Sequence, residues 1–71
     1  MEWVQVESSS LSAVAYDTVH QLLYVKFKED NTIYLYYDVP VSIYNDLVQA
    51  TSIGGFYSRN VRDKYRYWRV N

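Results

Sequence analysis

Between Ser12 and Tyr37 the chain carries three short runs rich in apolar and aromatic residues, Ser12 to Asp17, Leu22 to Lys28 and Thr32 to Tyr37. The last two are dense in Tyr, Val, Ile and Phe, the residues that fit a pleated, half-buried surface, and all three read as β-strands. A shorter strand is expected around Trp3 to Val6, set off by the polar turn Ser8 to Ser10. After Asp38-Val39-Pro40 the period changes. Ile43, Tyr44, Leu47 and Val48 recur at helical spacing, and Pro40 suits the first position of that helix because its missing N–H has no intrahelical partner there. Thr51 to Gly55 breaks the pattern, with Ser52 or Gly54 available to cap a second helix from about Gly55 to Lys64. Phe56, Tyr57 and Val61 form its apolar side, with Tyr65 one turn further on, and Tyr67, Trp68 and Val70 suggest a closing strand. The expected fold is α+β: a small antiparallel meander of three to five strands packed against two C-terminal helices, one domain over residues 1–71.

Pairing arithmetic assigns the faces. A four-residue loop from Thr18 to Gln21 sets Tyr16 opposite Leu23 and Val14 opposite Val25. A two-residue turn at Asp30-Asn31, with Asn31 accepting positive φ, sets Phe27 opposite Tyr34 and Val25 opposite Tyr36. One face then collects Val14, Tyr16, Leu23, Val25, Phe27, Tyr34 and Tyr36 and is the expected core face. The other holds Ala13, Ala15, Tyr24, Lys26, Lys28, Ile33, Leu35 and Tyr37, too apolar for a plain solvent face. Trp3 and Val4, or Trp68, are the first expected cover; a second copy of the chain and a stack of RNA bases are the alternatives.

Composition narrows the chemistry. With 71 residues, nine Tyr, two Trp, two Phe and no Cys, the chain must hold its core by packing or self-association rather than by disulfides. A thiolate zinc site is excluded, and the lone His20 excludes a two-histidine metal site. No segment approaches a bilayer span or a secretory signal, so a cytoplasmic location is expected. The net charge is −1 but unevenly placed: residues 1–58 carry Lys26 and Lys28 against seven carboxylates, whereas residues 59–71 carry Arg59, Arg62, Lys64, Arg66 and Arg69 against Asp63. Such a basic end can meet phosphate or an acidic partner. Its structural alternative is a solvated helix end whose arginines pair with the acidic body.

Catalysis finds little support. His20 and Asp17 fall at a hairpin loop, Ser8-Ser9-Ser10 lacks any nucleophile spacing, and no phosphate-binding glycine motif or calcium loop is present. No cofactor is implied, and a non-enzymatic binding module is expected. If the second helix continues to Arg66, Arg59, Arg62 and Arg66 form one stripe able to track a phosphate backbone. Tyr57, Tyr65, Tyr67 and Trp68 beside it can stack on unpaired bases, though a chain this small has prior use for them in its core. Gly54-Gly55 offers an anion-binding nest or a plain turn. The competing function is a protein-interaction module, including a small phage-type modulator of a host protein, which a Tyr-rich surface suits.

The order Ser8-Ser9, Ala15-Tyr16-Asp17, Tyr34-Leu35-Tyr36, Val39-Pro40, Tyr44, Leu47, Ala50, Ser52, Gly54 and Tyr65 resembles the KTSC domain. That short domain is named for its occurrence at the C-terminus of some lysyl-tRNA synthetases and also stands alone in small bacterial and phage-type proteins. The resemblance covers Glu7 to Tyr67 and departs from the family pattern at Ala15 and at Asp30-Asn31, where glycine is usual. It implies a small RNA-associated module, with RNA, tRNA in particular, as the suggested partner.

Overall fold

The computed structural model describes residues 1–71. Strands β1 (Val4–Gln5), β2 (Leu11–Asp17), β3 (Leu22–Phe27), β4 (Ile33–Tyr36) and β5 (Tyr67–Arg69) form one antiparallel sheet in the order β1-β2-β3-β4-β5. Helices α1 (Val41–Gln49) and α2 (Ile53–Asn60) intervene between β4 and β5 and pack on a single face of the sheet. The fold is the α+β meander that the pattern predicts. Neither helix is long and apolar enough to cross a membrane.

The first hairpin has the expected register, with Asp17 opposite Leu22, Tyr16 opposite Leu23 and Val14 opposite Val25. Gln21 takes the left-handed conformation at φ 55°, and the Asp17 carboxylate accepts from the amides of Val19 and His20 at 2.9 and 3.2 Å. A bulge between Leu11 and Ala13 interrupts β2. An extra residue there reverses the alternation, so Leu11 turns onto the same face as Val14 and is completely buried in the core.

The second hairpin departs from expectation by two residues. Val25 faces Tyr34 and Leu23 faces Tyr36, because the loop is Lys28 to Asn31 rather than Asp30-Asn31 alone. A two-residue turn of the favoured kind needs positive φ at both central residues. Here only Asn31 adopts it, at φ 60°, while the Asp30 side chain closes a local turn by accepting from the Thr32 amide at 3.1 Å. A shift of two preserves face parity, so the expected core face survives: Val14, Leu23, Val25 and Tyr36 lie in the core and Tyr16, Phe27 and Tyr34 pack against it.

Pro40 caps α1 from just outside, with extended backbone at ψ 147°, instead of occupying the first helical position. Leu47 is fully buried, and Ile43, Tyr44 and Val48 pack around the core, as the helical spacing requires. Tyr16 stacks on Tyr44 with ring centroids 5.1 Å apart and donates its hydroxyl to the Val39 carbonyl, fastening β2 to the strand–helix junction.

Helix α2 starts earlier and ends sooner than its sequence suggests. Ser52 caps it, its hydroxyl accepting from the Gly55 amide at 3.1 Å, so both glycines lie in the first turn. Neither has positive φ, and the nest does not form. Replacing Ser52 with Ala removes that bond and is expected to lower unfolding stability by about 1 kcal/mol in urea titration, with the slope of the transition unchanged. At the other end Val61 is fully buried, the amides of Val61 and Arg62 both converge on the Tyr57 carbonyl, and Asp63 turns left-handed at φ 65°. Burying Val61 takes the chain out of the helix before Arg62. The continuous stripe Arg59–Arg62–Arg66 therefore does not exist.

Desolvation pushes the phenols of Tyr16, Tyr36, Tyr44 and Tyr57 above the ordinary tyrosine value, Tyr36 furthest. A folded-state pKa above the unfolded one means the folded chain holds more protons once the unfolded phenols begin to ionise near pH 10. Stability is thus expected to be level below that pH and to fall above it, by up to about 1.4 kcal/mol per pH unit for each of the buried pair Tyr36 and Tyr57. Denaturant midpoints measured from neutral to alkaline pH check this; a midpoint unchanged beyond the phenol range contradicts it.

Candidate nucleic-acid interface

The helices do not cover the whole sheet. Along β4 and β5 an aromatic cleft stays open on the helix-bearing side, with a volume of about 280 Å³. Phe27, Tyr34, Tyr36, Tyr57 and Tyr67 line it, and Arg62 and Asp63 from the turn after α2 stand beside them. The ladder explains the convergence: Tyr36 pairs with Tyr67 and Tyr34 with Arg69, so their side chains share the face, and Val25 beside Tyr34 continues it into the core. The rings meet largely edge to face, Phe27 with Tyr34 and Tyr57 at 5.6 Å, and Tyr34 with Tyr67 at 5.5 Å. At the floor, the hydroxyls of Tyr36 and Tyr57 lie 2.5 Å apart and satisfy one another. Both residues are buried, whereas Tyr67 is 56% exposed.

These positions sort the residues singled out from the sequence. Arg62, Tyr67 and Arg69 come together around Tyr34, Arg69 from a second depression that shares Phe27 and Tyr34 with the cleft. Tyr57 is 4% exposed and cannot offer a face to a base, and Tyr65 is half-buried against the core. Arg59 sits on α2 and Lys64 in the exposed turn beyond it. Arg66 lies on the opposite side of the sheet, its guanidinium 4.6 Å above the Tyr37 ring. Tyr34 and Tyr36, taken from the sequence as structural motif residues, instead line the cleft. Their spacing of two on one strand was the available signal, since it puts both on one face.

The cations are not consumed by the acidic body. The one side-chain ion pair in the structure joins Asp17 to His20 at 3.0 Å, so no Asp or Glu side chain lies within 4.0 Å of any lysine or arginine charge. Arg69 instead donates from Nε to the Asn71 carbonyl at 2.7 Å, and its charge helps hold the Asp30 carboxyl below its usual range, after the larger effect of the Thr32 hydrogen bonds. The end of the chain is tied down by the Asn71 side chain, which accepts from the Ile33 amide and donates to the Asn31 carbonyl. His20, in an exposed loop with no pocket around it, is oriented only by Asp17.

A family model for the KTSC domain matches residues 7–65. The chain belongs to the KTSC domain family. It is 41% identical over 61 residues to a protein of Tsukamurella paurometabola, a match spanning 86% of this chain and 90% of the other. It is 35% identical over 72 residues to an uncharacterised protein of Stutzerimonas stutzeri, over the full length of both. The crystal structure of a KTSC domain protein from Yersinia pestis superposes with a TM-score of 0.93 over 99% of this chain and 97% of that one, at 24% identity. The fold is thus shared at an identity where most side chains differ. Within this KTSC domain the Tyr34-Leu35-Tyr36 motif supplies the cleft, Val39-Pro40 the junction that Tyr16 fastens, and Ser52 the cap of α2.

Proposed function

We propose that this KTSC domain is a non-enzymatic RNA-binding module that takes an unpaired base of a structured RNA, such as a tRNA, into the aromatic cleft, against the exposed ring of Tyr67. The observation that carries this reading is the juxtaposition of an open aromatic cleft with Arg62 and Arg69, neither paired with an Asp or Glu side chain. An exposed ring such as Tyr67 can stack on any base, and flanking guanidinium groups can take the neighbouring phosphates. The cleft lies at the small end of ligand pockets, roughly 300 Å³ and upward, which suits one flat ring. The association of the family with lysyl-tRNA synthetases, given with the sequence resemblance, points the same way.

Fluorescence anisotropy with labelled tRNA at two salt concentrations tests it. With about three phosphates neutralised by Arg62, Arg69 and a neighbour, affinity is expected to fall roughly 20-fold between about 50 and 200 mM salt. Absence of binding at the lower salt, or binding indifferent to salt, contradicts the proposal.

A further inference from the structure

The depression that adjoins the aromatic cleft has a volume of about 370 Å³ and a lining of a different kind. Phe27 and Tyr34 form the wall it shares with the cleft, and Glu29, Asp30 and Arg69 complete it. The chain brings them together from three places. The loop after β3 is tied to the turn before β2, because the Lys28 amide donates to the Ser10 carbonyl at 2.8 Å. Arg69 arrives on β5, directly opposite Tyr34 in the ladder.

The charges of this depression do not neutralise one another. Hydrogen bonds from Thr32, and to a smaller degree the charge of Arg69, hold the Asp30 carboxyl below its usual range. Yet no Asp or Glu side chain comes within 4.0 Å of the Arg69 guanidinium, whose Nε donates to the Asn71 carbonyl instead. Asp30 is held in place, since one of its oxygens accepts from the Thr32 amide at 3.1 Å. An ionised carboxylate has about four lone-pair sites, so both oxygens can still accept. Glu29, exposed and in no ion pair, lacks that restraint.

We infer that this depression takes the base next to the one held in the cleft and selects guanine, with Asp30 as the residue that reads it. The inference rests on the RNA reading above and adds the identity of one base. A carboxylate beside a phosphate track opposes RNA binding, and a donating base is what offsets that cost. The carboxylate offers two acceptors side by side and no donor. Among the RNA bases only guanine presents two adjacent donors on its Watson–Crick edge, N1–H and the N2 amino group, and an unpaired base leaves that edge free. Cytosine and adenine each offer one amino group with a ring-nitrogen lone pair beside it, which the second oxygen repels. Uracil offers one N–H between two carbonyls. Tyr34 lines both hollows, so bases in the two belong to neighbouring nucleotides, and Arg69 keeps its role toward phosphate.

Fluorescence anisotropy at low salt tests the inference, with labelled hexauridylate and the same oligomer carrying one central guanosine, adenosine, cytidine or inosine. The guanosine oligomer is expected to bind about 10-fold more tightly than the uridine, adenosine and cytidine ones. Inosine, which lacks the N2 amino group, should lose most of that gain. Asp30→Asn keeps an oxygen for the Thr32 amide, so the thermal midpoint should stay in place, while the guanosine and uridine oligomers come within about twofold of each other. Glu29→Gln removes the same charge from the same depression and should retain the preference, which separates base reading from electrostatics. The Thr32 amide signal should move with the guanosine oligomer and far less with hexauridylate.

Oligomers that all bind equally overturn the inference and leave the RNA reading standing. No binding by any oligomer also overturns it, and the tRNA titration then decides the RNA reading by itself. A preference that survives Asp30→Asn, or is lost through Glu29→Gln, overturns the assignment to Asp30. Guanosine monophosphate competing as well as the guanosine oligomer assigns the depression to a free nucleotide and overturns its place on an RNA.

Discussion

Replacing Tyr57 with Ala is expected to cost about 3 to 5 kcal/mol, enough to unfold a large share of the molecules at room temperature. A domain of this size has roughly 4 to 10 kcal/mol to lose in total. Tyr57 is 4% exposed, contacts Phe27 and Tyr36 edge to face at 5.6 and 6.0 Å, and its backbone carbonyl receives the two amides that end α2. Truncation opens a cavity at the point where helix, sheet and the following turn meet. The smaller changes separate the ring from its hydroxyl. Tyr57→Phe alone leaves the Tyr36 hydroxyl buried and unpartnered, at about 1 to 3 kcal/mol. Removing both hydroxyls, as Tyr36→Phe with Tyr57→Phe, recovers most of that loss, since no orphaned group remains. Urea titrations of the four variants form a double-mutant cycle, and a double variant no more stable than the worse single one refutes the reciprocal bond.

The second large effect concerns RNA. Arg62→Glu combined with Arg69→Glu replaces two cations beside the Tyr34–Tyr67 cleft by two anions, and should reduce tRNA affinity by at least about 100-fold near physiological salt, from two lost and two repelled phosphate contacts. Arg66→Glu changes the same formal charge per residue on the opposite face. At a Debye length of about 8 Å it should leave affinity within roughly twofold. Tyr67→Ala should cost about 1 to 3 kcal/mol by removing the exposed stacking ring. Equal losses from Arg62→Glu, Arg66→Glu and Arg69→Glu, measured singly by anisotropy, would show that binding follows net charge and not the cleft.

Much of this fold was legible in its residues because the signals were local. Alternation in β2 to β4, Pro40 followed by Ile43, Tyr44, Leu47 and Val48, and Ser52 three residues before Gly55 each express a short-range physical rule. The four-residue loop from Thr18 to Gln21 set the first register correctly. The second register failed because a turn type depends on φ at two residues, and Asp30-Asn31 can close either a two-residue or a four-residue loop. Less of the candidate site could be read. A stripe of arginines at helical spacing was a fair inference only while the helix continued, and Val61 ended it by being worth more in the core than in another helical turn.

By itself, then, the amino-acid sequence determined the strands and helices, the division of the sheet into two faces, the concentration of cations at the C-terminal end, and the family. Periodicity and parity are properties of neighbouring residues and survive small errors of register. Only the tertiary structure decided which cations share a surface. β5 returns beside β4 after two helices, and alternation along that strand then sends Tyr67 to the cleft, Arg69 to the depression beside it, and Arg66 and Trp68 to the opposite face. That outcome rests on contacts between residues more than thirty positions apart, Tyr34 with Arg69 and Leu35 with Trp68, which no local pattern encodes.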